Sequence, residues 1–348
     1  MKRLVEGNEA VFLGALKAGA TFFAGYPITP SSEILALAAE HAARDHGFKF
    51  IQSEDEIAAA NAIIGASLAG AKSFTATSGP GFSLVQEAIG YAHQAEVPTV
   101  FVNVQRVGPA TGMPTMPAQQ DILQTKYGSS GDYYPLVFYP NSVEECYRYA
   151  ITAFNAAEES MSPVILLSDA FIGHLNEVVD LDAIEVKVVP RSRPPLGTGK
   201  RSFSGLAHDE EGNPRTADAE VYRKWLSKVK ARHEEVAARY SDFKFKGNTS
   251  SDTLIISYGI VSRVIAPLDS EFALFRPIRI FPMLGPELQH YAQGYKKIVV
   301  IEANDGQYGC LVERELKREV IQVPLLGGRI SLGLAKKGLS EKLGREVH

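Results

Sequence analysis

The sequence predicts an α/β protein, with a parallel sheet covered by helices on both faces and a second, smaller α/β unit after it. Short apolar segments typical of buried strands alternate with segments of helical spacing as far as residue 167. Such alternation is typical of parallel sheets, because each crossover helix packs on a face of the sheet. A Pro- and Gly-rich stretch interrupts the pattern, which resumes at Asp252 and so indicates a second unit.

Six strands and five helices are expected in the first unit. Asn8 is a possible cap of the first helix, and Gly19 a signal for its end. In the second helix, Ile34, Leu35 and Ala38 fall on one side. The strands are predicted at residues 20–24, 48–51, 72–77, 99–104, 136–138 and 163–167, and the helices at 8–18, 31–44, after Gln52, 82–92 and 142–158.

The second unit is expected to follow a linker that contains a charged helix. This helix covers roughly residues 218–239, with Trp225, Leu226 and Val229 on its apolar side. Beyond it we expect strands at 253–257, 278–281 and 298–301 and a helix at 260–272. We therefore predict domains at residues 1–195 and 248–348, joined by a linker at 196–247.

Composition excludes several classes of function. A net charge of -4 gives no reason to expect nucleic acid or an anionic membrane surface as a partner. No apolar run approaches the roughly 18 residues that span a bilayer, and the N-terminal residues lack the apolar region of a secretory signal, so the cytoplasm is the expected location. Cys146 and Cys310 are the only cysteines, too few for a disulfide framework or for four thiolate ligands to an iron–sulfur cluster.

Three unusual loops follow predicted strands and should meet at one edge of the sheet. They cover residues 25–32, 78–81 and 105–115, and each is dense in Gly, Pro and hydroxyl residues. Ligands of open α/β sheets bind outside the carboxyl ends of the strands. The convergence of these loops therefore predicts a binding site.

The turn Ser78-Gly79-Pro80-Gly81 leaves two interpretations open. Free backbone N–H groups before a helix could bind an anion. Alternatively, the turn lets two backbone segments approach each other and needs no ligand. It matches neither a P-loop nor a dinucleotide fingerprint.

Three consecutive carboxylates, Glu54, Asp55 and Glu56, precede an alanine-rich helix. Acidic residues at a helix start are stabilised by the helix dipole alone. Ile57 and three alanines follow Glu56 directly, however, and a carboxyl group with apolar neighbours suits proton transfer.

Arg106 and Thr29 are candidates for holding a carboxylate. Arg106 directly follows the strand at 99–104, where its guanidinium could bind a carboxylate through two hydrogen bonds, or form an ordinary ion pair with Asp121 or Asp132. Thr29 could donate its hydroxyl to the same ligand or cap the next helix. We find no metal-ligand spacing and no nucleophile–base motif.

With these residues in view, the chain resembles the α subunit of 2-oxoacid:ferredoxin oxidoreductases, most closely the 2-oxoglutarate branch. The resemblance covers nearly the whole chain, in ordered motifs. They are GNEA at 7–10, GYPITPSSEI at 25–34, EDEIA at 54–58, TATSGPGFSL at 75–84, QRVGPATGMPT at 105–115, YGSSGD at 127–132, SDAFIGH at 168–174, GLAHDEEG at 205–212, ISYGIVSR at 256–263 and EANDGQ at 302–307.

The resemblance implies a thiamine diphosphate enzyme that decarboxylates a 2-oxoacid, forms an acyl-coenzyme A and passes electrons to ferredoxin. It implies that residues 1–195 form a transketolase-like pyrimidine-binding domain and residues 248–348 a domain of transketolase C-terminal type. A β subunit would supply the pyrophosphate and Mg²⁺ site and the iron–sulfur cluster, in a heterotetramer of two α and two β chains. This chain would hold only the aminopyrimidine side of the cofactor.

The same resemblance assigns roles to site residues. Glu56 matches the glutamate that hydrogen-bonds N1′ of the aminopyrimidine, since Gly65 stands nine residues after it, as in thiamine enzymes at large. Thr29 and Arg106 match positions that bind the 2-oxoacid carboxylate. The expected contacts to the cofactor or partner subunit are Tyr26, Pro27, Ile28, Ser78, Gly79, Pro80 and Gly81.

Two alternatives remain at this stage. The same family includes enzymes for branched-chain or aryl 2-oxoacids. From a different class, the chain would be a non-catalytic α/β scaffold that binds a nucleotide or a partner through residues 78–81.

Overall fold

The structure, a computed structural model, describes residues 2–347. Met1 and His348, the outermost residues of the predicted domains, lie outside the described residues. The strands are β1 Arg3–Glu6, β2 Phe22–Gly25, β3 Lys49–Gln52, β4 Ser73–Thr77, β5 Thr99–Val107, β6 Met113–Pro117, β7 Leu136–Phe138, β8 Pro163–Asp169, β9 Asn176–Val179, β10 Phe243–Gly247, β11 Thr253–Ile256, β12 Ala273–Pro277, β13 Arg279–Phe281, β14 Lys297–Glu302 and β15 Ile321–Pro324.

Side-chain caps fix the starts of several helices. Asp55, Ser142 and Asp218 each accept a hydrogen bond from a backbone N–H of the first turn, which satisfies a donor that has no partner inside the helix. The helices are α1 Gly7–Lys17, α2 Ser32–Arg44, α3 Glu56–Leu68, α4 Gly79–Leu84, α5 Gln86–Gln94, α6 Ile122–Tyr127, α7 Val143–Ser160, α8 Ala170–Gly173, α9 Ala219–Arg239, α10 Gly259–Val264, α11 Gly285–Ala292, α12 Gln307–Leu316 and α13 Leu332–Leu343.

The larger sheet has the strand order β13-β7-β8-β5-β4-β2-β3, with β6 paired onto β5. All neighbouring pairs from β7 to β3 are parallel, whereas β13 is antiparallel to β7. Every residue of β5 and β8 is buried, as expected for strands covered on both faces. The predicted parallel sheet with helices around it is confirmed.

The smaller sheet has the order β10-β12-β11-β14-β15. Its neighbours are parallel except for β10, which runs antiparallel to β12. A buried ion pair joins this sheet to the helix layer of the first: Arg276 in β12 donates two hydrogen bonds to the Glu145 carboxylate in α7, at 3.0 and 2.5 Å. The predicted second α/β unit is confirmed.

Several elements differ from the prediction. The helix expected at residues 260–272 ends at Val264 because Pro267 lacks the N–H that a longer α-helix needs, and a 3₁₀ turn, Ala266–Ser270, follows. The segment predicted as a strand at 278–281 forms β13, which belongs to the larger sheet. The single helix predicted at 82–92 is two helices, α4 and α5, and α4 begins at Gly79, so the glycine turn is the first turn of α4. Pro80 fits there because the first N–H groups need no partner within the helix.

The charged helix α9 packs on the first unit through one side. Trp225, Val229 and Val236 on that side are buried. His233 on the same helix is also buried, with its ring centroid 5.1 Å from that of His93 in α5. Among residues 2–347, the structure contains no helix with both the length and the apolarity to cross a membrane.

Candidate active site

The three predicted loops do meet at one edge of the larger sheet, although residues 105–107, with Arg106, are the end of β5 and residues 113–115 belong to β6. They follow β2, β4 and β5, which are parallel neighbours, so their carboxyl ends lie side by side. A cavity of about 470 Å³ opens there. Its walls include Gly79, Pro80, Arg106, Asp121, Asp305 and Gln307.

The three consecutive carboxylates lie in three environments. Glu54 is exposed to solvent. Asp55 caps α3, accepting a hydrogen bond from the backbone N–H of Ala58 at 2.7 Å. Glu56 is only 5% exposed, and its Oε1 lies 3.5 Å from the Thr77 hydroxyl at the end of β4. Burial therefore distinguishes Glu56 from its neighbours.

Gly81 makes room for the Glu56 carboxylate. A Cβ atom on Gly81 would overlap Oε1 of Glu56 and the hydroxyl oxygen of Thr77. The hydroxyl of the next residue, Ser78, is fully buried and has no hydrogen-bond partner within residues 2–347. Near the end of β4, the Glu56 carboxylate and the Ser78 hydroxyl are thus two buried polar groups that could each take a polar ligand atom.

Arg106 and Thr29 are brought together. A guanidinium nitrogen of Arg106 donates to the backbone carbonyl of Thr29 at 2.6 Å, and Nε of Arg106 is buried with no partner in the described chain. The alternative of an ordinary ion pair is not seen: no carboxylate oxygen of residues 2–347 lies within 4.0 Å of the Arg106 guanidinium nitrogens. Thr29 itself is exposed.

Two nearby carboxylates affect the pKa of Arg106. Burial lowers the pKa of Arg106, and the charges of Asp121 and Glu56 oppose this effect. Burial also raises the pKa of Asp121 to about 6, although Asn103 donates a hydrogen bond to Oδ2 of Asp121 at 2.9 Å. The guanidinium remains charged at neutral pH and has spare donors for an anionic ligand.

The loop at 25–32 is held by its own hydrogen bonds. The Ser31 hydroxyl donates to the carbonyl of Ile28 at 2.9 Å, and Asn8 donates to the carbonyl of Pro30 at 2.9 Å. Tyr26 and Pro27 are exposed in this loop. In the described chain we see no hydrogen bond from Tyr26, Pro27 or Ile28 to Glu56, so their expected contacts to the cofactor stay predictions.

Sequence reasoning missed the contribution of the second unit to the cavity. Gln307 donates to the carbonyl of Gln120 at 2.6 Å and accepts from the backbone N–H of Leu123 at 3.1 Å. These bonds place Asp305 and Gln307 on the wall opposite Gly79. The motif at 302–307 had been noted only as part of the resemblance; its polar residues directly after an apolar strand were the available signal.

The residues around Glu56 fit one edge of an aminopyrimidine. A pyrimidine ring of this kind presents nitrogen donors and acceptors, which a buried carboxylate and an unpaired hydroxyl can satisfy. Glycine at position 81 leaves the room that the Glu56 carboxylate itself occupies. No group of three His, Cys, Asp or Glu side chains in residues 2–347 is placed to hold a metal ion.

Comparison with known proteins points to one family. Residues 13–242 match the family model described as pyruvate flavodoxin/ferredoxin oxidoreductase, thiamine diphosphate-binding. The 2-oxoglutarate synthase subunit KorA of Archaeoglobus fulgidus is 42% identical over 324 residues, 89% of this chain and 90% of that protein. KorA of Methanocaldococcus jannaschii is 39% identical over 360 residues, 94% of this chain and 95% of that protein.

Solved structures agree with this match. A 2-oxoglutarate:ferredoxin oxidoreductase from Magnetococcus marinus, solved with 2-oxoglutarate, coenzyme A and succinyl-CoA bound, superposes with a TM-score of 0.90 at 28% identity; the match covers 98% of this chain and 65% of that chain. A split-gene transketolase superposes with a TM-score of 0.60 at 12% identity, which shows the transketolase-like fold.

Proposed function

The chain belongs to the pyruvate flavodoxin/ferredoxin oxidoreductase family, and on that premise we propose that it is the α subunit of a 2-oxoglutarate synthase. The proposed reaction is the oxidative decarboxylation of 2-oxoglutarate to succinyl-CoA with electrons passed to ferredoxin, or its reductive reverse. The observation that carries the proposal is the buried Arg106 on the cavity wall, which forms no ion pair with a carboxylate of residues 2–347 and lies near enough to Glu56 to be affected by its charge. Membership of an oxidoreductase family argues against a non-catalytic scaffold.

Glu56 and Ser78 would hold the aminopyrimidine side of thiamine diphosphate. The cofactor, when bound, supplies the electron sink that lets a 2-oxoacid lose carbon dioxide. The Glu56 carboxyl group is shielded from water, so a hydrogen bond between it and a ring nitrogen is not weakened by competition with solvent. Proton transfer at that nitrogen is the step that we assign to Glu56.

Arg106 and Thr29 would bind the carboxylate of the 2-oxoacid. The guanidinium already uses one donor on the Thr29 carbonyl, which fixes its orientation, and keeps other donors for the ligand. A charge-assisted bond of this kind is roughly twice as strong as a neutral one. The substrate would therefore be held in one orientation before reaction.

We also propose the partners that the resemblance implies. The sequence holds two cysteines, so four thiolate ligands for an iron–sulfur cluster would have to come from another chain. Relatives are named as subunits, which supports a multi-subunit enzyme. The β subunit with the Mg²⁺ and pyrophosphate site, the heterotetramer, ferredoxin as acceptor and a cytoplasmic location remain part of the proposal, as do the domain limits at 1–195, 196–247 and 248–348.

The substrate is tested by reconstitution with the partner subunit and a panel of 2-oxoacids. Coenzyme A-dependent reduction of ferredoxin should show a kcat/KM for 2-oxoglutarate at least about tenfold above those for pyruvate and 2-oxoisovalerate, a difference of about 1.4 kcal/mol in transition-state binding. A preference for 2-oxoisovalerate would instead favour the branched-chain alternative. That alternative has support of its own, since the ketoisovalerate oxidoreductase subunit VorB of Methanothermobacter marburgensis is 33% identical over 347 residues.

A further inference from the structure

A second cavity lies at the opposite edge of the larger sheet. Its volume is about 350 Å³, and it lies between α9 and the segment around residues 200–212. Glu96 on its wall precedes the first residue of β5, whereas Arg106 is close to the last. Seven residues of strand at about 3.3 Å each separate Thr99 from Arg106, roughly 23 Å. This cavity is therefore separate from the proposed active site.

Among the residues that line this cavity, the buried polar atoms without a hydrogen-bond partner are all donors. Nε and Nη2 of Arg201 and Nε1 of Trp225 are buried and have no hydrogen-bond partner among residues 2–347. Arg201 is 9% exposed and Trp225 is 8% exposed. The remaining guanidinium nitrogen of Arg201 donates to the Pro194 carbonyl at 3.2 Å, which anchors the side chain. A buried N–H donor without an acceptor costs folding free energy, so a ligand with acceptor oxygens would satisfy these donors.

The acidic side chains of the cavity are already engaged. Arg232 and Arg193 both pair with the Glu96 carboxylate, at 2.5 and 3.7 Å. Asp209 pairs with Arg215 at 3.0 Å. Neither carboxylate is paired with Arg201 in the described chain.

The net charge of the cavity also favours an anion. Five basic and three acidic side chains line it, an excess of two positive charges (5 − 3). Burial lowers the pKa of Arg201 to about 10, and the nearby charges of Arg193 and Arg191 add to this effect. The nearby charge of Glu96 opposes it, so the guanidinium is still charged at neutral pH, and no carboxylate of residues 2–347 forms an ion pair with it.

We propose that this cavity is a binding site for a phosphate-type oxyanion, held by Arg201 and by the indole N–H of Trp225. Arginine binds phosphate through its fork of parallel N–H donors, and an indole N–H adds a further donor. The anion is either free phosphate or the phosphate of a larger molecule, for which the remaining volume and the Trp225 ring leave space. The site does not depend on the proposed enzyme activity, because it lies at the other edge of the sheet.

The single tryptophan of the chain provides a direct readout. Full-length protein in phosphate-free buffer is titrated with inorganic phosphate and, separately, with ADP, while Trp225 fluorescence is followed. We expect a saturable change with at least one titrant at a half-saturation below about 1 mM. Tighter binding of ADP by more than about tenfold would identify a nucleotide as the source of the phosphate; equal binding would identify the free anion.

Arg201→Gln is the test variant and Arg223→Gln the control. Arg223 lies on the same helix as Trp225 and is 70% exposed, so its substitution removes the same charge outside the cavity. Arg201→Gln should weaken binding at least about tenfold, whereas Arg223→Gln should change it less than about twofold. Trp225→Phe, followed by calorimetry, keeps the ring but loses the donor and should bind more weakly than wild type.

Thermal unfolding separates a ligand site from a purely structural arginine. In phosphate-free buffer Arg201→Gln should melt no lower than wild type, because it removes an unpaired buried charge, and only wild type should gain stability when the ligand is added. The proposal is overturned if wild type responds to neither titrant, or if Arg201→Gln binds as wild type does. A melting temperature of Arg201→Gln that is lower by the same amount with and without phosphate would also overturn it.

Discussion

Three consecutive carboxylates at the N-terminal end of α3 have different surroundings and therefore different roles. Glu54 remains in solvent, Asp55 satisfies a backbone donor, and Glu56 turns inward to Thr77 and Gly81. Only the last can hold a hydrogen bond away from competing water. The roles therefore follow from the helix geometry that begins at Glu56.

Glu56→Gln should abolish most of the decarboxylase activity and leave the fold intact. Glutamine keeps the size of the side chain but cannot act in proton transfer, a loss of roughly 10²- to 10⁴-fold in kcat. The measurement is turnover of the reconstituted enzyme. Glu54→Gln, two residues away and exposed, is the control and should retain activity within about twofold. Near-normal turnover of Glu56→Gln would remove Glu56 from the proposed role.

Arg106→Lys tests substrate binding without removing the positive charge. Lysine lacks the planar fork and would lose the bond to the Thr29 carbonyl. We expect kcat/KM for the 2-oxoacid to fall about 10- to 100-fold, because one charge-assisted hydrogen bond contributes about 1.5–3 kcal/mol. The affinity for thiamine diphosphate should not change. Loss of cofactor affinity with unchanged saturation by the 2-oxoacid would contradict the assignment.

Gly81→Ala tests whether glycine at this position makes space for Glu56. Its methyl group would overlap the carboxylate and Thr77, so we expect a loss of about 1–3 kcal/mol in the free energy of unfolding. Gly79→Ala is a matched control on the same helix, because its Cβ meets no atom within 4 Å. Urea unfolding of the chain without cofactor measures both. Equal effects of the two substitutions would show that the overlap is relieved at little cost.

At the scale of the element, the charged helix α9 buries a histidine, His233, where it packs on α5. Burial lowers the pKa of His233 to about 4, with the charge of Arg232 on the same helix adding to the effect. Burial lowers the pKa of His93 in α5 to about 3, and His233 and Arg232 contribute to this decrease. Both rings are therefore neutral when α9 is packed at neutral pH.

His233→Gln should reduce the pH dependence of stability between pH 4 and 6.5. The folded pKa is depressed below the unfolded value of about 6.5, so the unfolded chain takes up a proton that the folded chain does not. Stability due to His233 is present above pH 6.5 and is lost as the pH falls towards 4. In urea unfolding, the slope for wild type should exceed that for the variant by up to about 1.4 kcal/mol per pH unit. Equal slopes would contradict this.

The elements that could be predicted were those whose periodicity was strong. Buried strands such as β5 and β8 read as continuous apolar runs, and α7 and α9 have clear caps. The short strands β6 and β9 have no such pattern, because tertiary pairing decides their conformation. The helix at 260–272 was predicted too long because Pro267 was not weighed as a breaker.

The candidate site was predictable to a similar degree. Loops after parallel strands must meet at one edge, which predicted from the sequence that Arg106, Thr29 and residues 78–81 share a site. Nothing local in the sequence joins Gln307 to Gln120, since that contact depends on how the second unit packs on the first. The unpaired hydroxyl of Ser78 likewise required the structure.

At the scale of the whole molecule, the buried Arg276–Glu145 pair joins the smaller sheet to helix α7 of the first unit. Burial acts to raise the pKa of Glu145, but the hydrogen bonds and the charge of Arg276 outweigh it and hold that pKa below its ordinary value. This contribution to stability is present above the unfolded pKa of glutamate and is lost as the pH falls through the folded value. The pair therefore stabilises the packing of the second unit at neutral pH.

Arg276→Gln should destabilise the chain by about 3–5 kcal/mol, because it leaves Glu145 buried without its main partner. Arg276→Met combined with Glu145→Leu should recover most of this loss, since an apolar pair needs no counter-charge. Urea unfolding at pH 7 is the measurement. Arg223→Gln, which breaks an exposed pair, is the control and should cost less than about 1 kcal/mol. A loss of similar size in Arg276→Gln and the control would show that the pair contributes little.

The strand β13 has a consequence for how such proteins can be recombined. It lies between β12 and β14 along the chain, yet it forms the outer strand of the larger sheet beside β7. A second unit exchanged for that of a relative would bring its own version of this strand, and the side chains of Arg279 and Phe281 would have to match the receiving sheet. The two units are therefore expected to be inherited together, with changes at this edge compensated across the boundary.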